Sequence, residues 1–166
     1  MRNDPVEPDE HELACTVNGA AVRVPVPARR LLSDLLRDDL ALTALQLGCE
    51  DGVCGACTVL LDGDPVRACT LLAVQAYGRE VLTLEGLYDD PFLAAARRAF
   101  SAAHALQCGF CTPGMLTTLV ACRRGGCSSA DEALHELSGN LCRCTGYVGI
   151  RRAVRGLWAG VEEESG

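Results

Sequence analysis

The sequence lacks an excess of basic charge, and this limits the partners that it suits. Its formal net charge is −7, with 15 lysine and arginine residues against 22 aspartate and glutamate residues. Nucleic acids and anionic membranes select basic surfaces, so we expect neither as a partner. No apolar run approaches the roughly 18 residues of a membrane-spanning helix, and we therefore expect no membrane insertion.

Aromatic residues are scarce, and an export signal is missing from the first residues. Aromatic residues make up 4% of the 166 residues and hydrophobic residues 49%, so the expected core consists mostly of Leu, Val and Ala. The first residues, MRNDPVEPDEHELA, have neither a basic n-region nor an apolar h-region, which argues against a secretory signal. The pair Arg29-Arg30 lies too far in for a twin-arginine signal, and Asp34 and Asp38 interrupt the leucine-rich run after it. We expect a cytoplasmic protein.

Cysteine, in contrast, is abundant. The chain has 11 cysteines. Because the cytosol keeps thiols reduced, so many cysteines in a chain without an export signal argue against a disulfide framework. The same density inside a cell indicates metal or redox chemistry.

The chain divides into three expected segments. Residues 1–10 read as a disordered acidic leader, residues 11–85 as a β-rich domain and residues 86–162 as a helical domain. The two halves do not repeat each other. The fold class is therefore α+β.

The first half carries two hairpin signals. Asn18-Gly19 and Asp62-Gly63 each stand between β-rich runs, and a type I′ turn needs positive φ at both central positions. The segment EVLTLEGL indicates one more strand. These elements predict a small mixed sheet with a helix on one face. The helix is indicated by leucines at helical spacing: Leu31, Leu32, Leu35, Leu36 and Leu40.

The second half shows helix starts and stops. Asp90 is the expected N-cap of one helix, with Pro91 at its first position. Thr112 and Pro113 repeat that pattern, and Gly125 follows the end of the second helix.

Two further helices complete a compact four-helix domain. Ser129 and Glu132 match a capping box at the start of the third helix. The fourth helix lies in GYVGIRRAVRGLWAGV, with one apolar face made by Ile150, Val154, Leu157 and Val161.

Four cysteines of the first half, the first cysteine set, have the spacing C-x4-C-x2-C with one cysteine downstream. This is the plant-type [2Fe–2S] arrangement. Four soft thiolates close the two iron tetrahedra of such a cluster. We expect Gly48, Gly52 and Gly55 to let the loop bend sharply and to bring N–H groups near the sulfurs. The set consists of Cys49, Cys54, Cys57 and Cys69.

Core cysteines, zinc and a Rieske centre each fit the first cysteine set less well. Buried core cysteines would not cluster in a Gly-rich loop that lacks a core pattern. Zinc sites pair their knuckles symmetrically, which C-x4-C-x2-C does not do. A Rieske centre needs histidine ligands, and the loop contains none.

A second cysteine set has the pattern C-x2-C, thirty residues, C-x-C. Thirty residues suit two helices and their joins, so an antiparallel helix pair would bring the two ends together. The spacing leaves zinc and a C-x-x-C redox disulfide open, although the βαβ context of a thioredoxin-like motif is missing. The set consists of Cys108, Cys111, Cys142 and Cys144.

In combination, three motifs resemble one family. GCEDGVCGACTV, QCGFCTPGM and SGNLCRCTGY, in that order, are similar to the small iron–sulfur subunit of the molybdenum hydroxylases, the family of xanthine dehydrogenase, aldehyde oxidoreductase and molybdenum-type carbon monoxide dehydrogenase. The resemblance covers residues 12 to about 158. It implies an N-terminal β-grasp, ferredoxin-like domain and a C-terminal four-helix domain, each with one [2Fe–2S] cluster held by its cysteine set.

The resemblance also implies partners and a function. The chain would be a non-catalytic electron-transfer subunit, accepting electrons from a molybdopterin cofactor in a large subunit and passing them to FAD, expected in a medium subunit, or to another acceptor. Gln107 and Cys144 match residues that contact the pterin. A free-standing ferredoxin-like carrier is the alternative, and the second domain argues against it; a redox- or iron-responsive regulator is a further one, without a basic patch in its favour.

Three cysteines and three histidines fall outside the motifs. We expect Cys15 and Cys122 to be buried small apolar residues and Cys127 to be an exposed thiol without function. The histidines match no metal pattern and are expected at the surface or in packing roles: His11, His104 and His135.

Overall fold

A computed structural model describes residues 10–164, with side chains described through residue 160. The acidic leader expected over residues 1–10 lies outside this range except for Glu10, which begins the first strand. Five strands form one sheet: β1 Glu10–Val17, β2 Ala20–Pro27, β3 Thr58–Leu61, β4 Asp64–Arg67 and β5 Glu80–Leu82. The helices are α1 Leu32–Asp34, continued by a π-helical turn over Leu35–Asp39, then α2 Pro91–Ala102, α3 Thr112–Arg124, α4 Ala130–Glu136 and α5 Val148–Glu164.

The sheet is mixed, as expected, with the strand order β2-β1-β5-β3-β4. β1 runs parallel to β5, and the other neighbouring strands are antiparallel. Both expected hairpins have the positive φ pair of a type I′ turn: 50° and 79° at Asn18-Gly19, and 52° and 92° at Asp62-Gly63. With the helix of α1 packed on it, the sheet confirms the β-grasp prediction.

The strand predicted in EVLTLEGL is shorter than expected. It ends at Leu82, and residues Leu84–Leu87 form a 3₁₀ turn. Thr83 is fully buried, and its N–H donates to the side-chain oxygen of Asn18 at 2.9 Å. The N–H of Thr83 thus bonds to the side chain of Asn18 instead of to the backbone of a neighbouring strand, and β5 ends before this residue.

The helix starts agree with the sequence to within one residue. Asp90 caps α2 by accepting from the N–H groups of Phe92 and Leu93. Thr112 was expected as the cap of α3, but it is the first helical residue, because Cys111 before it already has helical angles of −81° and −14°.

Only one of the two hydrogen bonds of the predicted capping box forms at the start of α4. The hydroxyl of Ser129 accepts from the N–H of Glu132, as predicted. The carboxylate of Glu132 reaches one residue further back, to the N–H of Ser128 at 2.7 Å, and does not close on Ser129.

Leucine, valine and alanine dominate the two hydrophobic cores. Strand β3 contributes to both, because all four of its residues are buried. Val59 and Leu61 face the core beneath the sheet, while Leu60 joins the helical core, where α3 packs against the strand. The two halves of the chain therefore share an apolar contact.

Helix α5 buries the predicted face at Ile150, Val154 and Leu157, while the side chain of Val161 lies outside the described ones. No sequence pattern singled out Trp158 as a core residue. This residue is fully buried, meets the edge of Phe92 at a centroid distance of 5.3 Å, and donates its indole N–H to the carbonyl of Cys127.

Candidate iron–sulfur sites

The loop of the first cysteine set joins the end of the α1 segment to β3. Gly52 and Gly55 have φ of 75° and 74°, so they make the sharp bends that the sequence indicated. Gly48 has no positive φ; a Cβ at that position would lie 3.2 Å from both the sulfur of Cys54 and the ring of Phe110, so its role is close approach. Glu50, which the sequence analysis did not single out, is also left-handed, with φ of 58°.

The four sulfurs of the first cysteine set lie in two pairs. The sulfurs of Cys57 and Cys69 are 3.3 Å apart. The sulfur of Cys49 accepts the N–H of Cys54 at 3.4 Å, and the side chains of these two residues also contact each other. Cys69 reaches its partner from the 3₁₀ turn Ala68–Thr70 that follows β4. The downstream cysteine thus meets the loop, as the spacing predicted.

The second cysteine set is assembled from the two distant segments that the spacing pointed to. Cys108 and Cys111 precede α3, while Cys142 and Cys144 follow α4. The sulfurs of Cys108 and Cys144 are 3.4 Å apart, and the side chain of Cys111 contacts that of Cys142.

The four cysteines of the second set differ in their exposure to solvent. Cys142 is buried and Cys111 half-buried, whereas Cys108 and Cys144 are exposed. Gln107, the residue that the resemblance assigned to a pterin contact, is exposed beside Cys108. One edge of this site therefore faces outward.

The thiols of the two sets differ in acidity for physical reasons. Hydrogen bonds from the backbone N–H groups of Cys54 and then Asp51 lower the pKa of Cys49 to about 7. Burial, followed by the contact with the Cys57 sulfur, raises the pKa of Cys69 to about 11. In the second set, burial raises the pKa of Cys111 to about 12.

Thr145 and Tyr147 form hydrogen bonds around Cys142 that the cysteine spacing did not indicate. The hydroxyl of Thr145 donates to the sulfur of Cys142 at 3.2 Å and accepts the N–H of Tyr147 at 3.1 Å. The hydroxyl of Tyr147 accepts the N–H of Cys142 at 2.8 Å. Burial acts to raise the pKa of Cys142, but the hydrogen bonds from Thr145 and from backbone N–H groups outweigh it, and the pKa is lowered.

The backbone conformation of Tyr147 indicates that surrounding contacts hold this residue in place. Its φ is 66°, a left-handed conformation that is uncommon for a residue with a bulky side chain. Such conformations persist where the surrounding contacts over-determine them, often at functional sites.

All four cysteines of the second set line a cleft of about 300 Å³, and Cys54 of the first set lines it as well. Across it, the N–H of Leu141 donates to the carbonyl of Cys54 at 2.8 Å. Its lining includes residues from both sets, with Phe110 and Leu141 as apolar walls.

The donor sets fit two-iron clusters better than single metal ions. A [2Fe–2S] cluster gives each iron two thiolates, and both sets place their sulfurs in two pairs. A tetrahedral zinc site would need its ligands to converge on one point. Within residues 10–164, no three histidine, cysteine, aspartate or glutamate side chains group around a single ion position.

The cysteines outside the two sets require a correction. Cys15 is buried, as expected. Cys122 is buried as well, but it is bonded to Cys127 in a disulfide, so the expectation of an unbonded Cys122 and an exposed Cys127 thiol was wrong. The reason is local: α3 ends and Gly126 turns the chain with φ of 89°, so that the N–H of Cys127 meets the carbonyl of Cys122 at 2.9 Å.

The histidines lie at the surface, since His11, His104 and His135 are all exposed. Among the described helices, none combines the length and the apolar character that crossing a membrane requires.

Comparisons with known proteins identify the class. Residues 8–80 match the family described as "2Fe-2S iron-sulfur cluster binding domain", and residues 83–155 match the "[2Fe-2S] binding domain". The chain is therefore an iron–sulfur protein with two [2Fe–2S]-binding domains, as predicted.

Individual relatives define the family more closely. The chain is 50% identical to caffeine dehydrogenase subunit gamma of Pseudomonas sp. (strain CBB1), over 89% of this chain and 90% of that protein. It is 52% identical to the 6-hydroxypseudooxynicotine dehydrogenase complex subunit beta of Paenarthrobacter nicotinovorans, over 85% and 89% of the two chains. The solved quinoline 2-oxidoreductase from Pseudomonas putida 86 is similar with a TM-score of 0.82 and 43% identity, over 93% of this chain and 97% of that one.

The chain belongs to the family of small [2Fe–2S] subunits of the molybdenum hydroxylases. Its function is that of an electron-transfer subunit of an oxidoreductase, and the prediction that favoured this function over a free-standing ferredoxin is confirmed.

Proposed function

We propose that this chain receives electrons from a molybdopterin site in a large partner subunit and passes them to FAD, in a medium subunit, or to another acceptor. The second cysteine set would hold the cluster on the pterin side, and the first set the cluster on the acceptor side. The observation that carries the proposal is the pairing of sulfurs in both sets, with Cys54 of the first set lining the same cleft as the cysteines of the second.

The proposed ligands are the eight paired cysteines. Cys49 with Cys54 and Cys57 with Cys69 would hold the two irons of one cluster. The second cluster would take Cys108 with Cys144 and Cys111 with Cys142. Each cluster, when bound, accepts and releases one electron at a time, so the two electrons of a turnover pass singly.

The protein contributes position and tuning around these ligands. Gly52 and Gly55 bend the first loop so that backbone N–H groups approach the sulfurs. The hydroxyl of Thr145 donates to the sulfur of Cys142, which stabilises added negative charge on that side. The contact between Leu141 and Cys54 keeps the two sites adjacent.

The exposed edge of the second cysteine set suits a large partner. Gln107 and Cys144 would contact the pterin there, and both are exposed in the isolated chain. Exposed apolar side chains stand nearby in sequence, among them Leu106, Phe110 and Val148, the last of them 66% exposed. Apolar surface of this kind marks an interaction site when it is contiguous.

A second partner would meet the first cysteine loop. Val53 lies at its tip, between Gly52 and Cys54, and is 62% exposed. We assign this tip to the FAD-containing subunit or to another acceptor. The domains would span residues 11–85 and 86–162, and the complex would be cytoplasmic.

Purification of the native complex tests the proposal. The chain, tagged in its source cells, is expected to co-purify with a molybdopterin-containing large subunit and a flavin-containing subunit, identified by mass spectrometry and by cofactor analysis. Recovery of the chain alone, reducible by added flavoproteins and able to exchange electrons freely, would favour the diffusible carrier instead.

A further inference from the structure

Asn140 lies between the two cysteine sets and is 1% exposed. Its side-chain N–H group donates to the carbonyl of Gly55 at 3.0 Å, and its side-chain oxygen accepts the hydroxyl of Thr118 at 3.1 Å. Gly55 directly follows Cys54, and Asn140 stands two residues before Cys142. One buried amide therefore connects the backbone beside a first-set cysteine to that beside a second-set cysteine.

Arg67 spans the same boundary from the other side. One guanidinium nitrogen donates to the carbonyl of Gly139 at 2.8 Å, and another donates to the hydroxyl of Thr58. Within the described residues, Arg67 has no carboxylate partner. Its planar fork instead bridges two oxygens, one in each half of the chain, which a lysine cannot do in the same way.

The backbones at this junction are in direct contact. A Cβ on Gly55 would overlap the carbonyl of Gly139 and lie 2.7 Å from the side-chain nitrogen of Asn140. A Cβ on Gly114, in the first turn of α3, would overlap the carbonyl of Gly55. The two halves of the chain are therefore closely packed at this junction.

We propose that Asn140 and Arg67 are positioning residues that fix the separation and orientation of the two iron–sulfur clusters, and thereby the rate at which an electron passes between them. This deepens the proposed function and rests on its ligand assignments. None of the side-chain hydrogen bonds of the two residues involves a sulfur. Both residues act through the backbone. Gly55 directly follows Cys54, and Asn140 stands two residues before Cys142, so fixing these backbones also fixes the two cysteines.

A buried asparagine also contributes to folding, since leaving its partners unsatisfied is costly. A role in folding alone would change stability and leave the geometry between the clusters of the loaded protein unaltered. The discriminating readout is therefore the magnetic interaction between the two reduced clusters, together with the rate of electron transfer between them. Stability is measured beside it.

The experiment uses the full chain, loaded with iron and sulfide, as wild type and as the variants Asn140→Ala and Arg67→Lys. Arg23→Ala is the control, because Arg23 of β2 forms an exposed ion pair with Glu12 of β1, away from the junction. Electron paramagnetic resonance of the fully reduced protein reports the interaction, and photoreduction with a flash-generated donor reports the rate.

We expect both variants to weaken the magnetic splitting and slow the transfer several-fold, while the signal of each cluster and the iron content stay at the wild-type level. Arg23→Ala is expected to change neither quantity. Fully loaded variants with wild-type splitting and rate would overturn the positioning role. If Asn140→Ala does not bind its clusters, the splitting and the transfer rate of Arg67→Lys alone test the positioning role. A wild-type chain with one cluster signal would overturn the ligand assignments themselves, and the positioning role with them.

Discussion

The backbone N–H of Leu141 donates a hydrogen bond of 2.8 Å to the carbonyl oxygen of Cys54. Cys54 belongs to the first cysteine set, and Leu141 directly precedes Cys142 of the second. The two sites are therefore joined by backbone, without an intervening side chain. Under the proposed ligation, this backbone contact acts together with the side chains of Asn140 and Arg67 to set how far an electron travels between the clusters.

Cys142→Ser tests the ligand assignment of the second set. We expect the substitution to abolish one of two paramagnetic signals and to leave the other intact, because a serine oxygen is a harder ligand than a thiolate. Cys15→Ala is the control, since Cys15 is buried outside both sets. Unchanged spectra in Cys142→Ser would refute its role as a ligand.

Thr145→Val tests the tuning of the second cluster. The variant removes the hydroxyl that donates to the sulfur of Cys142 and keeps the shape of the side chain. We expect a lower midpoint potential for one cluster only, because the reduced, more negative state loses a hydrogen bond. Thr43→Val, at an exposed position of the first half, is the control. Equal potentials in Thr145→Val and wild type would exclude this hydrogen bond as a determinant.

Gly114→Ala tests the close packing of α3 on the first cysteine loop. Because a Cβ there overlaps the carbonyl of Gly55, we expect a loss of about 1–3 kcal/mol in the free energy of unfolding, with slower cluster loading. Gly156→Ala is the matched control in α5. It meets no atom within 4 Å, so the change is expected to be neutral or to stabilise by up to about 1 kcal/mol. Equal effects of the two substitutions would argue against the overlap.

The double variant Cys122→Ser/Cys127→Ser tests the disulfide at the end of α3. Removing a bridge that closes so short a loop is expected to cost about 2 kcal/mol of stability, measured by chemical unfolding of the oxidised protein. In wild type, alkylation after denaturation and cluster removal, without a reductant, should modify nine of the 11 cysteines. Modification of all 11 would show that the two sulfurs are free thiols.

Local chemistry explains why much of the fold is predictable from the sequence. The Asn18-Gly19 and Asp62-Gly63 turns and the Asp90 cap depend on residues that are adjacent in the chain, and each is where the sequence indicated. The meeting of the segment of Cys108 and Cys111 with that of Cys142 and Cys144 was predictable, because the two cysteine motifs are separated by a length that suits two helices.

The rest depends on contacts between segments that no local pattern reports. The early end of β5 is set by Asn18, which lies 65 residues away from Thr83. The burial of Trp158 and the contacts of Arg67 and Asn140 likewise appear only after the helices pack on β3. These residues are single polar or aromatic positions in a strand, a helix and a loop, and no sequence period marks them.

The proposed ligation places two [2Fe–2S] clusters in one chain, one on each cysteine set. Iron and acid-labile sulfide analysis of the anaerobically purified chain tests it most directly, with paramagnetic resonance of the reduced protein beside it. Two clusters require about four irons and about four sulfides per chain, with two distinguishable signals. About two irons per chain, or zinc in place of iron at either set, would contradict it.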